Sequence, residues 1–266
     1  MRIQRALSRL GLKLRRTNPG VHAAPAFRPY VVPVSLAGVS FDFWVGDTTG
    51  KEWYNPEEHQ RFAEHTETAR VVQRGDRVLE IGSHHGFTAM LLSKLVGEPG
   101  FVLAVEPSPF NAMMVAAQVG LNRITNCQVI QAAVSDRHGN VRISQESNAA
   151  VIESGDGMDV VAVTADELDL TYGPFDVLKI DVEGFERQVL TGARNLLQRR
   201  PRVLLELHSP FLSQFGSTVE AVLGLLGPFY RGTFISRDAR DRIHAYPATD
   251  VPRDEIVNLF LAFSDA

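Results

Sequence analysis

Apolar and polar positions alternate in a way that divides the chain into a short prelude and a long strand–helix repeat. In the prelude, Val32, Val34 and Leu36, then Phe41, Phe43 and Val45, recur at every second position around Ala37-Gly38, which predicts a β-hairpin over 31–45. Asn55-Pro56-Glu57-Glu58 opens a helix predicted to run to Val72, and Gly75-Asp76 closes the prelude. Strands are then predicted at Arg77–Ile81, Phe101–Val105, Cys127–Ala132, Phe175–Asp181 and Val203–Leu207. Helices at Phe87–Val96 and Pro109–Val119 separate the first three, and Val141–Ser144 and Val160–Val163 read as short extra strands. Thr164-Ala165-Asp166-Glu167 is a capping box that starts a short helix. Val189, Leu190, Ala193, Leu196 and Leu197 lie on one face of a single predicted helix ended by Pro201. A helix at Thr218–Leu226 and strands at Phe229–Ile235 and Ile256–Phe263 complete the pattern.

Strands that are apolar on both faces and alternate with helix-length segments form a parallel sheet covered on both sides. The last two strands have only a loop between them, so an antiparallel pair is expected at the end. Residues 27–266 read as one domain, with hairpin and helix over 27–74 and the sheet-and-helix core over 75–266. Residues 1–26 read as a basic arm and linker. Arg2, Arg5, Arg9, Lys13, Arg15 and Arg16 occur there with Ile3, Leu7, Leu10 and Leu14 at helical spacing. Such an arm is solvated, or touches an anionic membrane surface or acidic partner through residues 1–16, or serves as an organellar address.

Composition narrows the field. A net charge of -4 and a pI near 6.1 argue against a nucleic-acid binder. The single cysteine, Cys127, excludes an internal disulfide and fits a reducing, cytoplasmic setting, with a packed thiol rather than a nucleophile. No apolar run reaches the ~20 residues of a membrane span.

The chemistry sits at strand ends. In Val78-Leu79-Glu80-Ile81-Gly82-Ser83-His84-His85-Gly86, the apolar side chains Val78, Leu79 and Ile81 each stabilise by about 1.5–3 kcal/mol when buried. Glu80 breaks that run, and a carboxylate placed there is costly without a cationic or donating partner. Open α/β sheets bind ligands at this edge. An amino-acid ammonium suits Glu80, while the turn at Gly82 and Gly86 leads to a helix amino terminus that welcomes a carboxylate. S-adenosylmethionine carries both groups. Glu106, ending the next strand before Pro107, can accept from both hydroxyls of a ribose. Asp181 and Glu183 crowd the end of the fourth strand before Gly184, and Glu206 and His208, two apart on the fifth, point the same way. The spacing Glu-x-Gly-x-x-x-Gly departs from the Gly-x-Gly-x-x-Gly of dinucleotide enzymes.

Val78 to Gly86, Val105-Glu106-Pro107-Ser108-Pro109, Ala133-Val134-Ser135-Asp136 with Gly139, and Asp176 to Glu186 together resemble the FkbM-type methyltransferases. Val189 to Ala193 and Pro201 to His208 extend the likeness, which covers roughly 40 to 210. The resemblance implies a Rossmann-like class I methyltransferase sheet, mostly parallel with an antiparallel last strand. It implies S-adenosylmethionine as cofactor and methyl transfer to a hydroxyl of a sugar, glycan or other small natural product. Carried over by position, Glu80, Gly82, Ser83 and Gly86 would hold the methionine end, Glu106 and Pro107 the ribose, and the Ala132-Ala133 turn the adenine. Asp181 would lie nearest the reacting centre.

An alcohol acceptor must lose a proton, and a base works best with a pKa near the working pH. Histidine's ordinary value of about 6.5 favours it over aspartate at about 3.9. His208 is therefore the expected base, with His84 or His85 as substitutes, and Asp181 an orienting group. No resident metal is expected, although Asp181, Glu206 and His208 offer ligands for a divalent ion as the alternative. Two other functions stay open, a nicotinamide-dependent oxidoreductase and a non-catalytic binding module on the same fold.

Overall fold

The computed structural model describes residues 27–54, 63–146, 148–227, 230–236, 243–246 and 248–263. The basic arm over 1–26 and the helix start at 55–58 lie outside them. Strands β1 (Tyr30–Leu36) and β2 (Val39–Val45) form the expected hairpin. Ala37 and Gly38 both have positive φ, 50° and 81°, as a two-residue turn matched to strand twist requires. Phe41, Phe43 and Val45 pack on Phe87 and Val115. The Gln118 side-chain amide pairs with Trp44 like a strand neighbour, accepting from its N–H at 2.9 Å and donating to its carbonyl at 2.8 Å.

Helix α1 (Thr48–Trp53) was not expected. Asp47 Oδ1 accepts the Gly50 N–H at 2.7 Å and starts it. Then come α2 (Ala63–Val71), β3 (Arg77–Ile81), α3 (Phe87–Val96), β4 (Phe101–Glu106), α4 (Pro109–Leu121) and β5 (Cys127–Gln131). Burial pushes the half-buried Cys127 thiol up to about 12, which fits packing rather than nucleophilic chemistry. The extra strands, β6 (Ala133–Val134), β7 (Gly139–Ser144) and β8 (Gly157–Val163), form a separate three-stranded sheet. Ala132, expected at the end of the Cys127–Ala132 strand, lies between the two sheets. Helix α5 (Ala165–Tyr172) has its capping box.

After β9 (Val177–Asp181), the single predicted helix is two, α6 (Glu186–Thr191) and α7 (Arg194–Gln198). The break has a cause at Gly192. Its carbonyl accepts from Asp166 N at 2.9 Å, and a Cβ there would stand 2.1 Å from the Ser135 carbonyl oxygen. Asp166 in turn accepts the amides of Asn195 and Leu196 at the start of α7. The chain ends with β10 (Arg202–His208), a 3-10 turn, α8 (Val219–Leu226), β11 (Tyr230–Ser236), an unexpected β12 (Ile243–Ala245) and β13 (Ile256–Phe263).

The main sheet runs β12-β11-β13-β10-β9-β3-β4-β5. From β5 to β10 the strands are parallel, and β13 is antiparallel to both β10 and β11. This is the α/β, mostly parallel, helix-flanked sheet with an amino-terminal hairpin that the pattern predicts. Register decides where the chemistry goes. Val78, Val102 and Val177 are partnered across neighbouring strands, and with Leu204, the partner of Lys179, they share one face and belong to one apolar cluster. Two residues on, the same face carries Glu80, Ala104, Lys179 and Glu206, and beyond them Glu106, Asp181 and His208. One face thus turns from apolar to charged along the strand direction. No helix among the described residues is long and apolar enough to cross a membrane.

Candidate active site

Glu80 is fully buried, and neither carboxylate oxygen has a hydrogen-bond partner among the described residues. The same holds for the buried Ser83 hydroxyl three residues on. Burial pushes the Glu80 carboxyl up to about 7, with Lys179 pulling it back. Gly82 and Gly86 both have φ of +84°. At Gly82 a Cβ would lie 1.8 Å from the Asp181 carbonyl oxygen, so this glycine lets the β3 and β9 ends meet. Gly86 caps α3, and a Cβ there would press on Val115 of α4 at 3.1 Å.

Glu106 is also buried and pushed up to about 7 by burial, against three hydrogen bonds. Its Oε1 accepts from Ser108 N at 3.0 Å and Asn111 Nδ2 at 3.3 Å, and its Oε2 from His84 N at 2.9 Å. With Oε1 committed to the protein, Oε2 keeps the remaining capacity for a ribose hydroxyl, narrower than the two-hydroxyl contact expected. Pro107 follows directly, and Ala132 N donates to the Glu106 carbonyl at 3.2 Å. Ala132 and Ala133 are buried beside that strand end.

Lys179, unassigned from sequence, is the counter-charge of the rim. It is buried, and its Nζ lies 2.9 Å from Asp181 Oδ2. Burial works against its charge, but Asp181, Glu80, Glu206 and Glu64 outweigh burial and hold it protonated. A lysine interrupting Leu178 and Ile180 was the available signal, since a buried ammonium needs partners.

His208 differs from its expected role. It is buried, and its Nδ1 lies 2.8 Å from Glu186 Oε1. Its Nε2 faces Glu183 Oε2 at 3.5 Å, Asp181 Oδ1 at 3.8 Å and Glu206 Oε1 at 4.0 Å. Burial alone would lower its pKa, but Glu186, Glu206 and Asp181 raise it to about 10. These carboxylates favour a proton or another cation on the imidazole, which makes His208 a poor base; the expectation rested on a histidine without such neighbours. Glu186, also unassigned from sequence, is fully buried and accepts from Gly184 N at 3.0 Å and His208 N at 3.3 Å.

The two substitute histidines part company. His85 is enclosed, stacked on His84 at 4.1 Å, and burial lowers its pKa. His84 sits at φ +47°, a strained setting for a histidine, with Nδ1 2.6 Å from the Tyr54 hydroxyl. Trp53 stacks on its ring at 5.0 Å and is 44% exposed. Burial, followed by Asp181, Glu106, Glu80 and Glu206, raises the Tyr54 pKa well above its ordinary value. Tyr54 therefore reaches into the acidic rim as a protonated phenol.

The family model for the Methyltransferase FkbM domain matches residues 80–241. Protein-L-isoaspartate O-methyltransferase of Fervidobacterium nodosum is 39% identical over 56 residues, 21% of this chain and 28% of that enzyme's length. Among solved structures, the methyltransferase FkbM of Methylobacillus flagellatus is 14% identical, with 81% of this chain and 56% of that one covered and a TM-score of 0.45. A SAM-dependent methyltransferase of Aquifex aeolicus is 15% identical, with 80% and 95% covered and a TM-score of 0.47. The family match alone spans more than half of the 266 residues, including every acid of the rim. The chain belongs to the FkbM methyltransferase family.

Proposed function

We propose that this protein transfers the methyl group of S-adenosylmethionine to a hydroxyl oxygen of a sugar, glycan or other small molecule. One observation carries the reading: the Glu80 carboxylate is fully buried, neither oxygen has a hydrogen-bond partner within bonding distance among the described residues, and only Ser83 and Lys179 nearby favour its charge. Such a group is tolerated when a ligand supplies donors and positive charge. Around it Glu106, Asp181, Glu183, Glu186 and Glu206 outnumber the cations Lys179 and His208. A ligand bearing ammonium and sulfonium charges fits that excess.

Glu80 and Ser83 would hold the ammonium end, and the turn through Gly82 and Gly86 would present the α3 amino terminus to the carboxylate. Glu106 Oε2, beside Pro107, would take a ribose hydroxyl, and the Ala132-Ala133 turn would border the adenine. The bound donor supplies an electrophilic methyl group. The chain's own task is to position the acceptor and accept its proton. Asp181, pinned by Lys179, orients the reacting centre. The proton route runs from the acceptor hydroxyl to Tyr54 Oη, while the tyrosine's own proton passes to His84 Nδ1 across 2.6 Å. The half-exposed Trp53 beside this pair offers a flat apolar face to the acceptor.

The test uses donor labelled in its methyl group with hydroxyl-bearing acceptors. Label that survives alkali marks an ether and supports the reading. Label released by alkali marks a carboxyl ester and contradicts the hydroxyl acceptor.

A further inference from the structure

We propose that Asp181, Glu206 and His208 form a site for a divalent cation of the magnesium–manganese class. The site lies at the carboxyl edge of β9 and β10, where register pairs Glu206 with Asp181. One ligand atom from each of the three lies within 4.8 Å of the others.

The spacing is informative. His208 Nε2 stands 3.8 Å from Asp181 Oδ1 and 4.0 Å from Glu206 Oε1. Those gaps exceed a hydrogen bond, which closes to about 2.7–3.2 Å. Atoms bound to one ion at roughly 2.0–2.3 Å stand about 3–4 Å from each other. Glu183 Oε2, 3.5 Å from Nε2, is within reach as a further oxygen or a water-bridged one.

The second observation is the histidine's mounting. His208 is 98% buried by its 2% exposure, its hydrogen bonds are made by Nδ1 and its backbone N–H, and Nε2 is aimed at the carboxylates. Glu186, itself anchored by Gly184 N, holds Nδ1 at 2.8 Å. A carboxylate behind one ring nitrogen, fixing the other toward an ion, is how proteins mount metal-ligating histidines. A plain buried ion pair would be complete with Glu186 alone, yet three more carboxylates surround the far nitrogen. Lys179 offsets one of them through Asp181 Oδ2, and the negative charge that remains suits a divalent ion. Oxygen-rich ligation with one imidazole favours manganese and magnesium over soft metals. Asp181 is the most exposed ligand, with 28% of its side chain accessible, so ion and acceptor enter from its side.

The proposal rests on the methyl-transfer reading only for the ion's use, and its test needs no donor. The full-length chain is titrated with Mn2+ and followed by electron paramagnetic resonance. One ion per chain is expected, with a nitrogen coupling from His208 in the pulsed spectrum, and at least tenfold weaker binding in Glu206→Gln and Asp181→Asn. Should Glu206→Gln not fold, the partly exposed Asp181→Asn decides. Free manganese throughout, a bound ion without nitrogen coupling, or parental affinity in Asp181→Asn would overturn the site. Calorimetry with S-adenosylmethionine on the same samples separates the two claims: donor binding without manganese removes the cation site alone, and manganese without donor binding removes the methyl-transfer reading alone.

Discussion

The Glu186 carboxylate reaches across from the start of α6 to hold the buried imidazole of His208 at 2.8 Å. The same oxygen accepts two backbone amides, from Gly184 and His208, so one side chain ties the β9 exit to the end of β10. Glu186→Ala strands a buried cation and two amides. We expect a loss of about 3 kcal/mol in denaturant unfolding, with Glu186→Gln recovering part of it. A fall within the range of ordinary surface changes would mean the pair does not hold the rim.

Tyr54 and His84 form the proposed proton route. Tyr54→Phe removes the hydroxyl and keeps the ring packed against Phe43 and Phe87. Turnover should drop by about 100-fold or more while donor affinity is unchanged. His84→Gln should cost a similar factor, and the double variant little more than either alone, because both act on one proton. Additive losses in the double variant would show that the two do not work as a unit.

Protonation of the buried acids predicts a pH dependence. Glu80 and Glu106 stand at about 7 in the fold against an ordinary 4.5. The folded chain therefore holds protons that the unfolded chain has released, and their contribution to stability falls as pH rises from about 4.5 to about 7. Above that window both are ionised and the contribution is flat. Donor binding has the opposite slope, since an ammonium needs Glu80 charged: affinity should climb with pH up to about 7 and then level, with Lys179 and Asp181 as the charged neighbours that set the midpoint. Calorimetric titrations from about pH 5.5 to about 8 read this directly, and Glu80→Gln should lack the rise.

Much of this was legible because charges interrupt strands that are otherwise apolar. Glu80, Glu106, Asp181 and His208 each stand at a strand's carboxyl end, so the pattern alone placed them on one rim. Lys179 was visible as an interruption, but nothing in the chain order shows that β3 and β10 flank β9 and bring Glu80 and Glu206 beside it. Glu186 looks like any acid in a helix's first turn; only the tertiary fold sets it behind His208. The prelude residues Trp53 and Tyr54 carry no motif, and α1, built on the Asp47 cap, was missed with them. The helix break at Gly192 escaped because apolar periodicity continues through it, while its cause, the Ser135 carbonyl, is 57 positions away in the chain by numbering.

The central claim is that buried Glu80, with neither oxygen hydrogen-bonded among the described residues, waits for the positive end of a sulfonium donor. Isothermal titration of the purified chain with S-adenosylmethionine and, separately, with NAD tests it most directly. The account predicts one S-adenosylmethionine per chain, no NAD, and affinity at least tenfold weaker in Glu80→Gln at neutral pH. NAD binding in its place, or Glu80→Gln binding as tightly as the parent, would contradict it.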